Sequence, residues 1–173
     1  MEELAEASDR DYGRLDCILH NASILGERVP LEHYDLNSWF NVMQINLNAV
    51  FMLTRVLMPL AHKSDDASLL FTSSGVGTTP RAYWGAYSVS KYAMEGLAKL
   101  LADEMENIDN IRVKIINPGA TRSKMRAAAF PNEEPNTLKT AEDLMPLYLY
   151  LAGPDSKSEQ GKLFTPADIG LAG

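Results

Sequence analysis

Apolar positions along this chain follow two rhythms. Three short apolar runs, "DCILHNA" (16–22), "SLLFTSS" (68–74) and "IRVKIINPG" (111–119), each end in small polar or turn-forming residues. That is the signature of strands buried in a parallel sheet. A shorter run, "GKLFT" (161–165), closes the series. Elsewhere apolar residues recur every three or four positions, which predicts long helices over 36–62 and 84–106, a helix over 140–152 and a short amphipathic one over 2–10. Asn37 or Ser38 is the expected cap of the 36–62 helix, and Pro59 should kink or end it. Thr140 should cap the 140–152 helix, with Gly153-Pro154 as its stop. "GVGTTP" (75–80) reads as a turn, and 120–139, with Pro131 and Pro135, as a mobile loop holding one short helix.

The resulting order is strand, helix, strand, helix, strand, loop, helix, strand. Alternation of this kind defines an α/β fold with right-handed parallel crossovers and helices on both faces of the sheet. In open sheets of this type ligands bind beyond the carboxyl ends of the strands. Here those ends are "HNAS", "TSSGVG" and "NPGAT", all small and polar, and they converge on one crevice.

Composition narrows the classes. The 173 residues are 46% hydrophobic and 23% charged, ordinary for a globular protein. The net charge of -7 argues against general affinity for nucleic acid or anionic membranes. Cys17 is the single cysteine, so no internal disulfide forms and a reducing compartment is expected. His20, His33 and His62 have no ligand-like spacing, so no metal is expected. The acidic start lacks the apolar core of a signal peptide, and no run reaches the roughly 18 apolar residues of a membrane span. The expected location is the cytoplasm.

The candidate chemistry sits in "GAYSVSK" (85–91), which places Tyr87 and Lys91 one helical turn apart on one face. A tyrosine ionises near 10, too high for proton transfer at neutral pH, and a nearby ammonium favours its phenolate. A chance Tyr–Lys pair at this spacing is common, so the surroundings matter. Ser74 ends the second strand, where its hydroxyl either caps a turn or holds a carbonyl oxygen beside the phenol. Asn46 stands in the apolar stretch "MQINLNAVF" and needs partners. It is either a core amide satisfied by its neighbours or one that orders a water leading to Lys91.

Taken together, "DCILHNAS", "INLNAVF", "LLFTSSGVG", "YSVSK" and "NPGATRS" resemble, in order and spacing, the motifs of the short-chain dehydrogenase/reductases. The wording of the chain is most similar to the bacterial YciK-like branch of that family. The resemblance implies an NAD(P)-dependent oxidoreductase using NADP or NAD on a small-molecule carbonyl or alcohol. Tyr87 would be the acid or base, Lys91 would lower its pKa and hold the nicotinamide ribose, and Ser74 would position the substrate oxygen. Asn46 would anchor a relay water. Asn21 and Ala22 would line the adenosine-to-ribose path, and Pro118, Gly119 and Ser123 would border the nicotinamide. The loop within 120–139, with Met125 and Phe130, would be the substrate lid. Ser23 stands where the family has glycine. The helices 36–62 and 84–106 are those through which such proteins form homo-oligomers.

One part of the family pattern is not in these residues. The glycine-rich turn that cradles a dinucleotide pyrophosphate is missing; Gly75-Val-Gly77 lies at the serine strand and has Pro80 where a third glycine would stand. The expectation is therefore a single truncated Rossmann-type domain over 1–173, holding strands 4-5-6-7 of the family's doubly wound sheet. The N-terminal βαβαβ portion, on the order of 80 residues, would be missing. Such a chain would be weakly active or inactive alone and would expose the sheet edge at 17–21. The alternative is a catalytically silent remnant that associates through its two long helices. A serine hydrolase is disfavoured because no G-x-S-x-G elbow occurs.

Overall fold

Every residue of β2 (Ala67–Thr72) and β3 (Ile111–Ile116) is buried, and the two strands pair in parallel, Leu69 opposite Val113 and Phe71 opposite Ile115. β1 (Cys17–His20) joins β2 and β4 (Leu163–Phe164) joins β3, both in parallel, giving the order β1-β2-β3-β4. This computed structural model describes residues 1–108 and 110–171. The α/β architecture with a parallel sheet follows the sequence reading.

Strand alternation sorts the side chains onto two faces. Ile18, Leu69, Phe71, Val113 and Ile115 face α3 (Ala49–Ala61) and α5 (Gly85–Glu104), meeting Val50, Leu57, Met94 and Ala98 in the larger core. Leu70, Ile116 and Phe164 face α7 (Met145–Ala152) through Leu147 and Leu151. Burying each such large side chain contributes about 1.5–3 kcal/mol, which makes the two-sided sheet the main source of stability.

Several local expectations are corrected. The 36–62 helix is capped by Asp35, whose carboxylate accepts from Ser38 N at 2.8 Å, and not by Asn37 or Ser38. A carboxylate reaches the free N–H groups of the first turn better than a residue already inside it. That helix is also divided: α2 (Leu36–Met43) leads into a π-helical turn over Gln44–Asn48 before α3 resumes. Pro59 lies inside α3, which ends two residues later at Ala61. "GVGT" is not a plain turn but a single helical turn, α4 (Gly75–Thr78), packed against α5. β1 was expected to be a buried strand, but Cys17 and Leu19 are exposed while Ile18 and His20 are buried, because only one side of this edge strand is covered.

The remaining helical elements follow the pattern more closely. α1 (Glu2–Tyr12) ends on left-handed Gly13. Thr140 and Asp143 cap each other's backbone N–H groups, as expected of the start of the 140–152 segment, though its first turn is 3-10 and α7 begins at Met145. The 120–139 segment holds one short helix, α6 (Lys124–Ala129), and is tied across its base by a bridge between Thr121 and Lys139.

The Arg112 and Lys114 positions of β3 are the least expected buried residues. Both face the C-terminal end of α7, where Lys114 Nζ donates to the Leu151 carbonyl at 2.8 Å and Arg112 Nη1 donates to the Gly153 carbonyl at 3.0 Å. Cations at a helix C-terminus satisfy its free carbonyls and its dipole, which is how a strand can bury them. Among the described residues, no helix is long and apolar enough to cross a membrane.

Candidate active site

α5 begins at Gly85, whose φ of 36° lies in the left-handed region, and the Tyr34 ring packs where a Cβ would stand. Any other residue here would strain the backbone and clash with that ring. The tight entry turns Tyr87 into the first turn of the helix and buries it, with Lys91 buried one turn further on. Lys91 Nζ donates to the Thr72 carbonyl at 2.7 Å and stands 5.8 Å from the Tyr87 ring centroid.

Burial pushes the Tyr87 phenol above its usual pKa, and a hydrogen bond with the Ser74 side chain pulls it part of the way back. Burial also lowers Lys91 to about 8, since an ammonium is disfavoured away from water. Ser74 is the residue just before α4, with an extended backbone that carries it off the end of β2 toward the phenol.

These groups open into a cavity of about 620 Å³ at the carboxyl ends of the strands. Asn21 and Ala22 reach it from the end of β1, and Pro118, Gly119 and Ser123 from the end of β3. Met125 and Phe130 reach it from the α6 segment. Every residue singled out from the sequence lines this one cavity except Asn46.

Asn46 is buried in the π-helical turn, where its amide is used by its neighbours. Its Oδ1 accepts from Ile24 N at 2.9 Å, and its Nδ2 donates to the Ile24 carbonyl at 2.9 Å and to Ser90 Oγ at 3.1 Å. It therefore ties the 23–25 loop, which forms one cavity wall, to the face of α5 behind Tyr87. A π-helical turn at this point suits a functional site, because such turns are rare and cluster at them.

Sequence reasoning missed several lining residues. Trp84 packs with Tyr87, Phe130, Met125 and Leu25 in a small apolar cluster. Its place in "WGAYSVSK", directly before α5 and three residues before Tyr87, was the available signal. Leu144, Met145 and Tyr148 come from the start of α7 and carried no local signal at all. Arg28 reaches over Trp84, 4.3 Å from its ring centroid, and donates to the Ala129 carbonyl. Arg126 lies 3.8 Å over Phe130 and pairs with Glu133 through two bonds of 2.6 Å. Both guanidinium groups at this wall are thus already engaged.

A nicotinamide cofactor would meet one open polar group here: Ser23 Oγ, on the cavity wall, is buried with no hydrogen-bond partner among the described residues. An unsatisfied hydroxyl there suits a polar ligand. Together with Lys91 and the small residues at the strand ends, it fits the ribose side of such a group. No cluster of three His, Cys, Asp or Glu side chains able to hold a metal occurs among the described residues.

An open parallel sheet with Tyr, Lys and Ser gathered at its carboxyl ends marks a Rossmann-type α/β protein. The chain belongs to the short chain dehydrogenase family, whose model matches residues 1–134. It is 52% identical over 163 residues to the uncharacterized oxidoreductase YciK of Escherichia coli (strain K12), covering 94% of this chain. The match extends over 64% of that relative's length. A short chain dehydrogenase from Shigella flexneri 2a complexed with NADP superposes with a TM-score of 0.92 at 51% identity, over 96% of this chain and 69% of that one. One from Escherichia coli CFT073 complexed with NADPH gives 0.92 at 52% identity, over 95% and 68%.

Proposed function

We propose that this chain carries the carbonyl-handling half of an NAD(P)-dependent oxidoreductase that interconverts a carbonyl and an alcohol. The carrying observation is that the Tyr87 phenol, the Ser74 hydroxyl and the buried Lys91 line one cavity together. A bound nicotinamide supplies or accepts the hydride. Tyr87 gives a proton to the substrate oxygen in reduction and removes it in oxidation. Ser74 donates a second hydrogen bond to the same oxygen. The Lys91 ammonium favours the phenolate as it develops and would bind ribose hydroxyls. Asn21 and Ala22 would follow the cofactor toward its ribose, and Pro118, Gly119 and Ser123 would border the nicotinamide. The solved relatives complexed with NADP and NADPH support this cofactor choice.

Asn46 enters as a strut between the 23–25 loop and α5. Its Oδ1 has a second lone pair, so a relay water reached from it remains compatible with its bonds. Residues 120–139 act as the substrate lid. Because Arg28 and Arg126 are engaged elsewhere, the lid side offers Met125, Phe130 and Trp84, which favours a neutral, apolar carbonyl or alcohol.

In this reading β1–β4 are strands 4-5-6-7 of the family's sheet. The pyrophosphate-binding turn is not among these 173 residues, so the chain alone binds cofactor weakly and turns over slowly or not at all. The match over 64% of the YciK relative supports this view. A homo-oligomer is proposed through the two long helical segments, on which Phe40, Phe51, Val89, Tyr92 and Leu100 are exposed. The same surface favours the second reading, a silent association module. The unpaired Cys17 thiol supports a reducing, cytoplasmic setting.

The test is titration of the purified chain with NADPH and NADH, followed by nicotinamide fluorescence, with light scattering to report association. Saturable binding supports the enzyme reading, and in a form that turns over Tyr87→Phe should abolish turnover while leaving cofactor binding nearly unchanged. Full turnover by Tyr87→Phe would overturn the assignment. Association without any cofactor binding up to millimolar concentration would favour the silent module.

A further inference from the structure

The segment that carries Ser74 is fastened to α5 at four points. Lys91 Nζ donates to the Thr72 carbonyl at 2.7 Å, and Ser88 Oγ donates to the Val76 carbonyl at 2.6 Å. The other two points converge on one carboxylate oxygen. Ser73 Oγ donates to Glu95 Oε1 at 2.5 Å, and Thr78 Oγ1 donates to the same oxygen at 3.1 Å. Glu95 follows Lys91 by four residues and Tyr87 by eight, so all three share one face of the helix.

Glu95 is 4% exposed and Ser73 3% exposed. Ser73 lines the cavity, whereas Glu95 does not. Burying a carboxylate is unfavourable unless it is well bonded. Here two hydroxyls and the Lys99 ammonium, 3.8 Å away, provide that bonding. The stretch from Ser73 to Thr78 contains Gly75 and Gly77 and would be loose without an anchor. Glu95 holds it immediately before Ser74 and again at the end of α4.

We infer that Glu95 is a positioning residue for the proposed reaction: by gripping Ser73 and Thr78 it sets the Ser74 hydroxyl against the Tyr87 phenol. This rests on the roles given above to Ser74 and Tyr87. The groups around the phenol are few. On its own helix Lys91 stands one turn away and Glu95 two turns away, and Arg28 and Arg126 stack on the Trp84 and Phe130 rings.

The experiment is a pH titration of the whole chain carrying 13C-labelled tyrosine, followed by NMR, with Tyr87→Phe to assign the Tyr87 signal. Ser74→Ala should raise the Tyr87 pKa, because a bond that favours the phenolate is lost. Glu95→Ala should raise it too, and Ser74→Ala/Glu95→Ala no further than Ser74→Ala alone. Removing a nearby negative charge acts with the opposite sign, so a purely electrostatic role predicts a lower value. Glu95→Gln keeps an acceptor for both hydroxyls and should titrate at or below the unchanged protein. Where turnover is measurable, Glu95→Ala should lower kcat by about 10–100-fold with cofactor affinity unchanged.

If Glu95→Ala does not fold, Ser73→Ala takes its place, with an upward shift expected. A folded Glu95→Ala or Ser73→Ala in which Tyr87 titrates as before, or lower, overturns the inference while Ser74→Ala still shifts it. A Tyr87 signal indifferent to Ser74→Ala sinks the Ser74–Tyr87 pairing and the role of Glu95 together.

Discussion

Lys91 donates to the Thr72 carbonyl at 2.7 Å, so the lysine beside the candidate acid is also a clasp on the end of β2. Replacing it has two opposed effects at neutral pH. Loss of the bond leaves a buried carbonyl short of a donor, about 1–3 kcal/mol. Removal of a buried ammonium relieves a penalty of similar size. The pH dependence separates them. The folded pKa is about 8 against 10.5 for the free side chain, so between these values the unfolded chain binds more protons. The lysine's contribution therefore rises from about pH 8 to 10.5 and is lost as pH falls through 8. Lys91→Met should fall behind the unchanged protein over that window, by up to about 3 kcal/mol. Urea denaturation at a series of pH values checks this, and parallel profiles would contradict it.

Gly77→Ala should be destabilising. Its Cβ would stand 2.6 Å from Ser73 Oγ, 2.9 Å from Lys91 Cβ and 3.1 Å from Glu95 Oε1. All three are buried, so little can yield without moving the Ser74 segment. Overpacking of this kind costs about 1–3 kcal/mol, a fall of roughly 3–10 °C in Tm. Calorimetry would read it, and an unchanged Tm would mean that α4 packs more loosely than the contacts indicate.

His20 should make the protein acid-sensitive. Its ring is buried, packs 4.8 Å from Phe71 and meets Thr54 Oγ1 at 2.9 Å. The Thr54 hydroxyl donates its proton to the Val50 carbonyl, so His20 Nε2 is assigned as the donor in this pair. Burial lowers the pKa to about 4 from 6.5. Stability from this group is present above pH 6.5 and lost as pH falls through 4, up to about 3 kcal/mol. His20→Leu should flatten that limb in thermal unfolding between pH 7 and 4, and an unchanged slope would remove His20 from the account.

Arg28→Ala should loosen the segment proposed as a lid. Arg28 joins the loop after β1 to Trp84 and to the Ala129 carbonyl across the cavity wall. The stacking alone is worth about 1 kcal/mol. Limited proteolysis within 120–139 should accelerate severalfold while β2 and β3 stay protected. Equal cleavage rates would mean that the Arg126–Glu133 pair holds the segment by itself.

Much of this was legible because the relevant signals are local. Apolar runs that stop at small polar residues located all four strands, and the three-to-four spacing located the long helices. Tyr87, Lys91 and Ser74 could be named together because a helical turn and a strand end bring them close whatever the rest of the chain does. The cap at Asp35 and the helical turn at Gly75–Thr78 were less legible, since each is a choice between nearby bonds of similar strength. The π-helical turn at Asn46 also escaped, because what rewards it is a bond to Ile24, 22 residues away.

By itself, then, the sequence determined the α/β class, the family and most residues lining the cavity, because hydrophobic period and short-range spacing act within one element. Tertiary structure decided which partners those residues have. It gave the Asn46 amide to Ile24 and Ser90, Lys91 to the Thr72 carbonyl, and Ser73 and Thr78 to Glu95. It also buried Arg112 and Lys114 by bringing the end of α7 to them. The physical reason is the same in each case: a buried polar group must find a partner, and which partner lies in reach depends on how separate elements pack.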